Sequence, residues 1–276
     1  MVGTSVSVES SGGDKMKFMI AVDCDGPACV VGEPGKALSD SRDMGFAREQ
    51  ATRETDAAAR ALFAAGAEKV VVWDNHGAGA NLVFDGLDPR CEILLGTGFP
   101  RRFPLLDESY MGVLMVGYHA MEGTPGGVLA HTYSPYAYRE IRANGVPVGE
   151  MAIDAAVAGE LGVPLIFVSS DRKGCEEAQR FMPWVETVET KIGYGRTCAW
   201  SKHPTRVVEE IFARVQAAVL RLETMECFRF RKPVTMQIVF RSILQALRAR
   251  VRREGWRLEG ARTISVELHS MVDWRC

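Results

Sequence analysis

Long apolar runs, paired cysteines and an excess of charge of one sign are all missing from this sequence. No apolar run approaches the roughly 20 residues that a membrane-spanning helix needs, so no transmembrane segment is predicted. The first fifteen residues lack the basic start and apolar centre of a secretion signal, and we expect residues 1–15 to form a disordered tail. The formal net charge is −2 over 276 residues, so the overall charge favours neither a nucleic acid nor a membrane as partner.

Seven cysteines are scattered along the chain, and no two of them form a CxxC pair. This pattern predicts free thiols rather than a disulfide framework, which is typical of a reducing compartment, and we expect a cytoplasmic protein. Cys24 lies between two aspartates, but the alternation of an extended strand turns its side chain to the opposite face. We therefore expect Cys24 to be a core residue and not a ligand.

Short apolar runs alternate with helical patterns through most of the chain. The runs are uninterrupted and rich in Val, Ile and Leu, as expected for parallel strands that are covered on both faces. The predicted strands are 17–22, 69–73, 112–118 and 164–168, and the predicted helices are 43–65, 150–161, 172–182 and 204–223. The fold class is therefore α/β, with a mostly parallel sheet covered by helices on both faces.

Near the C-terminus the pattern changes. The segments VTMQIVF (234–240) and ARTISVELHS (261–270) predict two strands, and these flank a basic helix over 241–253. We expect residues 16–223 to form the α/β core. Residues 224–276 are predicted to form a smaller C-terminal αβ segment that completes the fold.

Carboxylates and histidines follow three of the predicted strands, at the point where each strand ends. Asp23 and Asp25 come after the first strand. Asp74 and His76 follow the second strand, and His119 follows the third. In open α/β sheets, sites form in the crevice beyond the carboxyl ends of the strands. Asp23 and Asp25 share one face of an extended chain, and such close like charges are tolerable around a divalent cation.

Two further residues join this predicted metal site. Glu150 stands at the start of a helix, where it is either a ligand or an ordinary negative charge at a helix N-terminus. His131 closes the loop EGTPGGVLAH, whose glycines suit a close approach of the backbone to a ligand. His203 precedes a proline at a helix start and is expected to be a cap or surface residue. His269 lies on a late strand without an acidic neighbour, and we expect a structural role.

The chemistry of the predicted ligands narrows the choice of metal. Mixed carboxylate and imidazole ligation suits zinc or, less selectively, manganese, cobalt or iron. Three carboxylates and two histidines exceed one tetrahedral zinc site, but they suit two ions that share a bridging carboxylate. Sites of this kind activate water for hydrolysis. No HExxH or comparably compact motif is present.

Five short motifs stand in one order along the chain. They are DCDG (23–26), DNH (74–76), GYHA (117–120), TPGGVLAH (124–131) and PVGE (147–150). In order and spacing this set resembles the zinc-dependent D-aminopeptidases, peptidase family M55. The resemblance covers roughly residues 16 to 200. It implies hydrolysis of the N-terminal amide bond of short peptides that contain D-amino acids. Because family members assemble into decamers, it also implies a homo-oligomer.

The resemblance also implies roles for single residues. It makes Asp23, Asp25, His76, His119 and Glu150 the ligands of two zinc ions, with Asp23 as the bridge. His131 matches the catalytic histidine, which is proposed as a nucleophile in the family. Because a hydroxide at a two-metal site would compete as nucleophile, we favour a role for His131 as general acid or oxyanion donor. The sequence departs from the family pattern at Asp25, where the family has glutamate. The shorter side chain either shifts or weakens one metal, or requires the backbone to approach more closely.

Two other functions stay open. A two-metal amidase that acts on a non-peptide amide would use the same ligands, because specificity lies in the shape of the pocket. Residues 229–257 hold nine basic side chains against one acidic side chain, Glu254, with apolar residues at helical spacing. This segment is either a basic amphipathic helix that binds nucleic acid or an anionic surface, or a packed helix with a solvated basic face. We favour the packed helix.

Overall fold

A computed structural model describes residues 16–275, and the tail predicted at 1–15 lies outside the described residues. The strands, in chain order, are β1 (Lys17–Val22), β2 (Lys69–Asp74), β3 (Glu92–Leu94), β4 (Gly112–Val116), β5 (Tyr138–Ala143), β6 (Val146–Pro147), β7 (Leu165–Ser170), β8 (Glu186–Glu189), β9 (Lys191–Gly195), β10 (Cys198–Ser201), β11 (Val234–Phe240), β12 (Arg257–Gly260) and β13 (Thr263–Leu268). The helices are α1 (Met44–Ala64), α2 (Glu150–Glu160), α3 (Arg172–Phe181), α4 (Pro204–Leu220) and α5 (Ile243–Arg252).

Six parallel strands form the central sheet, in the order β3-β2-β1-β4-β7-β8. The chain builds β1, β2 and β3 towards one edge and then crosses to β4 on the other side of β1, so the strand order reverses at β1. Both faces of this strand are buried. Phe18 and Ile20 point into one core, and Met19 and Ala21 point into the other. This explains the uninterrupted apolar run, since neither face of the strand meets water.

Helices cover both faces of the parallel sheet. On one face α1 and α4 pack against each other and against the strands, and the small alanines of α1 allow a close approach. On the other face α2 and α3 pack against β7, and the second sheet adds to the same core. The predicted α/β fold class, with a parallel sheet covered on both faces, is confirmed.

A second sheet is antiparallel and has the order β12-β13-β11-β5-β6. Strands β5 and β6 precede residue 223 and β11 to β13 follow it, so the C-terminal segment completes a sheet that the core segment begins. Helix α5 lies against this sheet and starts with a capping box between Ser242 and Gln245. A small antiparallel hairpin, β9 and β10, stands apart from both sheets.

Helix α5 differs in one respect from the packed helix that we expected. Ala246 is its buried residue, and the helix packs through it. The apolar residues at helical spacing face solvent instead: Leu244 is 55% exposed, Leu247 45% and Val251 84%. The helix therefore presents apolar as well as basic side chains on its surface.

Two simpler expectations can be compared directly with the structure. None of the helices between residues 16 and 275 combines the length and the apolar composition that crossing a bilayer requires. The six cysteines in this range are free thiols. Cys24 is fully buried in the core on the α1 side of the sheet, as its place in the strand pattern predicts.

Candidate metal centre

The loops after β1, β2 and β4 meet at one edge of the parallel sheet, where the strand order reverses. The β1 loop carries Asp23 and Asp25, the β2 loop carries His76, and the β4 loop carries His119. The backbone amide of Asp23 donates to the carbonyl oxygen of Val116 at 2.9 Å, which extends the pairing of β1 with β4 into the site. The crevice beyond the carboxyl ends of the strands therefore holds these side chains together.

Two glycines allow the β1 and β4 loops to touch through their backbones. A Cβ atom at Gly26 would lie 1.9 Å from the carbonyl oxygen of Tyr118. Gly117 has φ +71°, and a Cβ atom there would lie 2.3 Å from the carbonyl oxygen of Asp23. The glycines of the DCDG and GYHA motifs are therefore required by this contact, which fixes the separation of the two ligand-bearing loops.

Asp23, Asp25 and His76 form the first group of potential ligands. His76 Nδ1 lies 2.6 Å from Asp23 Oδ1 and 3.2 Å from Asp25 Oδ2. Both aspartates are almost fully buried, with 4% and 1% of their surfaces exposed. Two buried carboxylates and one imidazole thus face a common point.

Asp23 also belongs to a second group, with His119 and Glu150. His119 Nε2 lies 3.3 Å from Asp23 Oδ2 and 3.3 Å from Glu150 Oε1. His119 Nδ1 donates to the carbonyl oxygen of Ala120 at 3.0 Å; because a carbonyl only accepts, this bond directs Nε2 towards the carboxylates. The two oxygens of Asp23 therefore face different groups.

The position of Glu150 bears on its two alternative roles. Glu150 is in the first turn of α2, but the side chain makes no capping bond, and the helix is preceded by Gly149 as the N-cap residue. Glu150 Oε1 instead accepts a hydrogen bond from the backbone amide of Tyr133 at 2.7 Å and faces His119. The Glu150 side chain therefore points into the site and does not cap the N-terminus of α2.

His131 completes the set of predicted site residues. Its ring stacks on that of His119, with centroids 3.9 Å apart and planes inclined by 12°. His131 Nδ1 donates to the carbonyl oxygen of Leu129 at 2.9 Å, so Nε2 is directed towards the site and lies 4.0 Å from Glu150 Oε1. Leu129 and Tyr133, which flank it, have φ +53° and +57°, a left-handed conformation that is costly for such residues.

The electrostatics of the group favour a bound cation. Burial alone would raise the pKa of Asp23, but hydrogen bonds from His119 and His76 hold it well below its ordinary value. Burial alone would lower the pKa of His119, but hydrogen bonds to Asp23 and Glu150 raise it well above its ordinary value. The carboxylates therefore attract positive charge to the histidines. A divalent cation would supply that charge and leave the imidazoles neutral, as ligation requires.

The geometry also fits a metal ion. Asp25 Oδ2 is buried and makes no hydrogen bond to any described residue. Ligand atoms about 2.0 to 2.1 Å from a tetrahedral zinc ion stand about 3.3 Å from one another. The distances from His119 Nε2 to Asp23 and Glu150, both 3.3 Å, match this separation. The donor set and the spacing of the group formed by Asp23, His119 and Glu150 therefore suit zinc.

Asp74, the last residue of β2, lies at the same edge of the sheet but has a structural role. Its carboxylate accepts hydrogen bonds from the backbone amides of Asn81 and Leu82 at 2.5 and 2.9 Å. These bonds close the loop that carries His76. Asp74 is therefore a structural residue of the site.

Sequence reasoning missed two charged residues that support the site. Lys191 is buried, and its Nζ donates to the carbonyl oxygens of Asp25, Pro27 and Val30 at 2.8, 2.8 and 2.6 Å. Arg102 forms a forked ion pair with the fully buried Asp154. Asp154 stands four residues after Glu150 on α2, and this helical spacing was the available signal. For Lys191 the sequence holds no comparable signal.

The metal centre opens into a cavity of about 530 Å³. Asp23, Asp25, His76, His131 and Glu150 line it, while His119 lies behind His131. Arginines line it as well: Arg101, Arg102, Arg196 and Arg275. The cavity thus combines an acidic, metal-binding part with basic side chains, and its volume suits a small-molecule substrate.

Comparison with known proteins identifies the family. The family model described as D-aminopeptidase, peptidase M55, matches residues 16–275. The chain belongs to the M55 peptidase family. A curated D-aminopeptidase of Bacillus subtilis is 31% identical to this M55 chain over 196 residues, which cover 69% of each protein. The resemblance predicted from the five motifs is thereby confirmed.

A solved structure is similar over almost the whole of this M55 chain. The zinc-dependent D-aminopeptidase DppA from Bacillus subtilis, described as a self-compartmentalizing protease, superposes with a TM-score of 0.87 at 26% sequence identity. The match covers 94% of this chain and 93% of that one. The two-sheet arrangement described above is therefore shared with this enzyme.

Proposed function

We propose that this M55 chain is a zinc-dependent aminopeptidase that hydrolyses the N-terminal amide bond of short peptides, with D-amino acids at the N-terminus, at a site for two zinc ions. The observation that carries the proposal is the placement of Asp23. Its Oδ1 faces His76 at 2.6 Å, and its Oδ2 faces His119 at 3.3 Å. A carboxylate between two groups of ligands is the arrangement that two bridged ions require.

The two groups supply a ligand set for each ion. Asp23, Asp25 and His76 would hold one zinc ion, and Asp23, His119 and Glu150 would hold the other. When bound, the zinc ions supply Lewis acidity towards the substrate carbonyl and make water a stronger nucleophile near neutral pH. The buried position of the carboxylates strengthens this electrostatic effect, because the surroundings screen charge less than water does.

His131 supplies the group that moves a proton. The hydrogen bond from Nδ1 to Leu129 fixes the ring, so that Nε2 alone faces the cavity. Direct attack by Nε2 and proton transfer at Nε2 are both possible from this position. We propose that Nε2, which is the acceptor nitrogen when Nδ1 carries the proton, takes a proton from the attacking water and then gives it to the departing amine. General acid–base catalysis of this kind contributes about 10²–10⁴ in rate.

The metal content of purified protein tests the site. We expect about two zinc ions per chain by elemental analysis, with hydrolysis lost on chelation. Asp23→Ala should lose both ions, because Asp23 is common to both groups, whereas Asp25→Ala and Glu150→Ala should each lose one. Asp85→Ala, which removes an exposed carboxylate outside the site, is the matched control. Protein without divalent metal that hydrolyses peptides in the presence of a chelator would contradict the proposal.

The substrate is tested with a panel of D- and L-aminoacyl amides and short peptides. We expect release of the N-terminal residue, faster for the D-series than for the L-series. Activity confined to non-peptide amides would instead favour the other two-metal amidase. Metal content is measured on the same preparations. This distinguishes inactivity that is caused by lost metal from inactivity that is caused by a wrong choice of substrate.

The proposal extends to assembly of several copies. The similar DppA structure is described as self-compartmentalizing. In this chain α5 exposes Leu244, Leu247 and Val251 on its surface, a patch that suits contact with another copy. We expect a homo-oligomer, a decamer by the family resemblance, in light scattering. Val251→Glu should lower the measured mass, and a wild type that is monomeric at micromolar concentration would contradict this extension.

A further inference from the structure

We propose that Arg101 and Arg196 form a subsite for the free α-carboxylate of the substrate, so that the enzyme favours peptides with an unblocked C-terminus. This inference rests on the proposed function and adds a requirement at the other end of the substrate. Both side chains line the cavity that contains the acidic metal centre. The cavity therefore contains both the candidate metal centre and two cationic side chains that can bind an anionic group of the substrate.

Arg101 is held in place by its neighbour. Arg102 pairs with Asp154, which lies on α2 one turn beyond Glu150, and its guanidinium stands over the ring of Trp73 at 5.1 Å. This pair fixes the segment next to the metal centre, because α2 carries a predicted ligand. Arg101 uses Nη2 to donate to the carbonyl oxygen of Leu106 at 2.8 Å, and its charge stays on the cavity wall.

Arg196 lies in the turn between β9 and β10, far along the chain from Arg101, and its side chain also lines the cavity. Its backbone carbonyl accepts from the amide of Leu129 at 2.8 Å, and its guanidinium Nη1 donates to the carbonyl oxygen of Ala130. Both contacts fall on the loop that carries His131. The Arg196 side chain is therefore placed beside the proposed proton-moving residue rather than free in solvent.

Neither guanidinium forms a close ion pair with a carboxylate of the described residues. Among residues 16–275, no carboxylate oxygen lies within 4.0 Å of Arg101 or Arg196. Many other arginines of this chain do have such a partner, for example Arg142 with Glu140 at 2.9 Å. Arg102, in the same cavity, is also paired. Two cationic side chains on the wall of a substrate cavity, each bonded only to backbone carbonyls, keep donors for an anion.

The chemistry of these side chains selects a carboxylate. A guanidinium presents several N–H donors in a planar fork that matches the two oxygens of a carboxylate. A C-terminal amide or ester lacks both the negative charge and the two equivalent acceptor oxygens of a carboxylate. Because the carboxylate would be bound inside the cavity, the subsite also favours short peptides, whose C-terminus is still within reach when the N-terminal bond is at the metal centre.

Two substrates with the same scissile bond test the inference: D-alanylglycine and D-alanylglycinamide. We expect the zinc-loaded wild type to show a kcat/KM about 10- to 100-fold higher for the acid than for the amide, as a lost charged hydrogen bond implies. Arg101→Gln and Arg196→Gln should each remove most of this preference, so that the ratio of kcat/KM for the acid to kcat/KM for the amide falls towards one. Arg101→Lys, which keeps the charge, should retain part of the preference. Arg229→Gln, at an exposed position outside the cavity, is the control.

The readout separates binding of the carboxylate from a structural effect. Variants that disturb the His131 loop would slow both substrates equally, and an unchanged ratio would overturn the subsite. Calorimetric binding of both compounds to chelator-treated protein measures the same preference without turnover. If the zinc-loaded enzyme hydrolyses neither compound, the proposed function fails, and the calorimetric preference alone decides the subsite. Equal affinity for the acid and the amide there would overturn it.

Discussion

The rings of His119 and His131 stack at 3.9 Å, and the two Nε2 atoms face the same oxygen of Glu150, at 3.3 and 4.0 Å. Stacking places the second imidazole next to the candidate metal centre, in which His119 is a proposed ligand. A side chain so held is oriented for proton transfer without reorganisation. This arrangement has a direct kinetic consequence.

Replacing His131 should slow catalysis and leave the metal centre intact. For His131→Ala we expect kcat to fall by about 10²–10⁴-fold, since a positioned general acid contributes that much. Zinc content, measured on the same sample, should equal that of wild type. His119→Ala is the contrasting variant and should lose zinc together with activity. Wild-type turnover in His131→Ala would remove the residue from the mechanism, and loss of zinc would make it a ligand.

Gly117→Ala should destabilise the protein because two loops meet at this residue. The substitution combines a left-handed backbone, φ +71°, with a Cβ atom 2.3 Å from the carbonyl oxygen of Asp23. Gly123 has φ +81° with no neighbouring atom within 4 Å of its Cβ position, so Gly123→Ala carries the backbone penalty alone.

The pair of glycine variants separates the two effects. We expect Gly123→Ala to lower the free energy of unfolding by about 1–2 kcal/mol, from the left-handed conformation alone. Gly117→Ala should lower it by about 1–3 kcal/mol more, through the steric clash. Urea denaturation of both variants measures the difference. Equal destabilisation would show that the loops can separate without penalty.

Lys191→Met should weaken the zinc site that includes Asp25. Three carbonyl oxygens in the segment after β1, among them that of Asp25, would lose their common donor. Asp25 has a shorter side chain than the glutamate of the family pattern, so to bind as tightly as that glutamate it would need a closer approach of its backbone, and Lys191 holds that backbone.

The effect of Lys191→Met should be visible in both stability and metal content. We expect the free energy of unfolding to fall by about 3 kcal/mol or more, because buried acceptors are left without a partner. Refolded protein should bind about one zinc ion tightly instead of two. Lys173→Met, at an exposed lysine, is the control. Two ions bound with wild-type affinity would contradict the positioning role of Lys191.

Glu54 should make stability depend on pH. Its Oε1 accepts from the backbone amide of Ala28 at 2.8 Å, and burial raises its pKa from 4.5 to about 7. The folded chain therefore holds this proton more tightly than the unfolded chain does. Between about pH 4.5 and pH 7 the folded state binds more protons, so the contribution of Glu54 to stability falls as the pH rises.

Glu54→Gln removes this titration and keeps an acceptor for Ala28. The free energy of unfolding of the variant, relative to wild type, should rise by up to about 3 kcal/mol between about pH 4 and pH 8, given 1.36 kcal/mol per pKa unit. Urea denaturation at several pH values measures the difference. Glu49→Gln, at an exposed position of the same helix, should show no such trend. Parallel pH profiles for wild type and Glu54→Gln would refute the prediction.

The main strands and helices could be predicted from their patterns of apolar residues. A strand that is buried on both faces, for example, is visible as an uninterrupted apolar run. The run at 17–22 coincides with β1, and the run at 234–240 coincides with β11. The short edge strands β3 and β8 were missed, since β3 has only three residues and β8 contains a single apolar residue, Val188. The pairing of β5 with β11 was also beyond prediction, because nothing local in the sequence indicates which distant strands will join.

The sequence by itself determined the central strands, the α/β class, and the motifs that name Asp23, Asp25, His76, His119, His131 and Glu150. These follow from local patterns, since a strand buried on both faces must be apolar and a strand end in such a sheet is where polar groups collect. Only the tertiary structure decided that the two oxygens of Asp23 face different ligand groups and that Lys191 holds the backbone of Asp25. It also decided that Arg101 and Arg196 line the same cavity. Those relations depend on distances between segments far apart in the chain, which are set by packing and not by any local pattern.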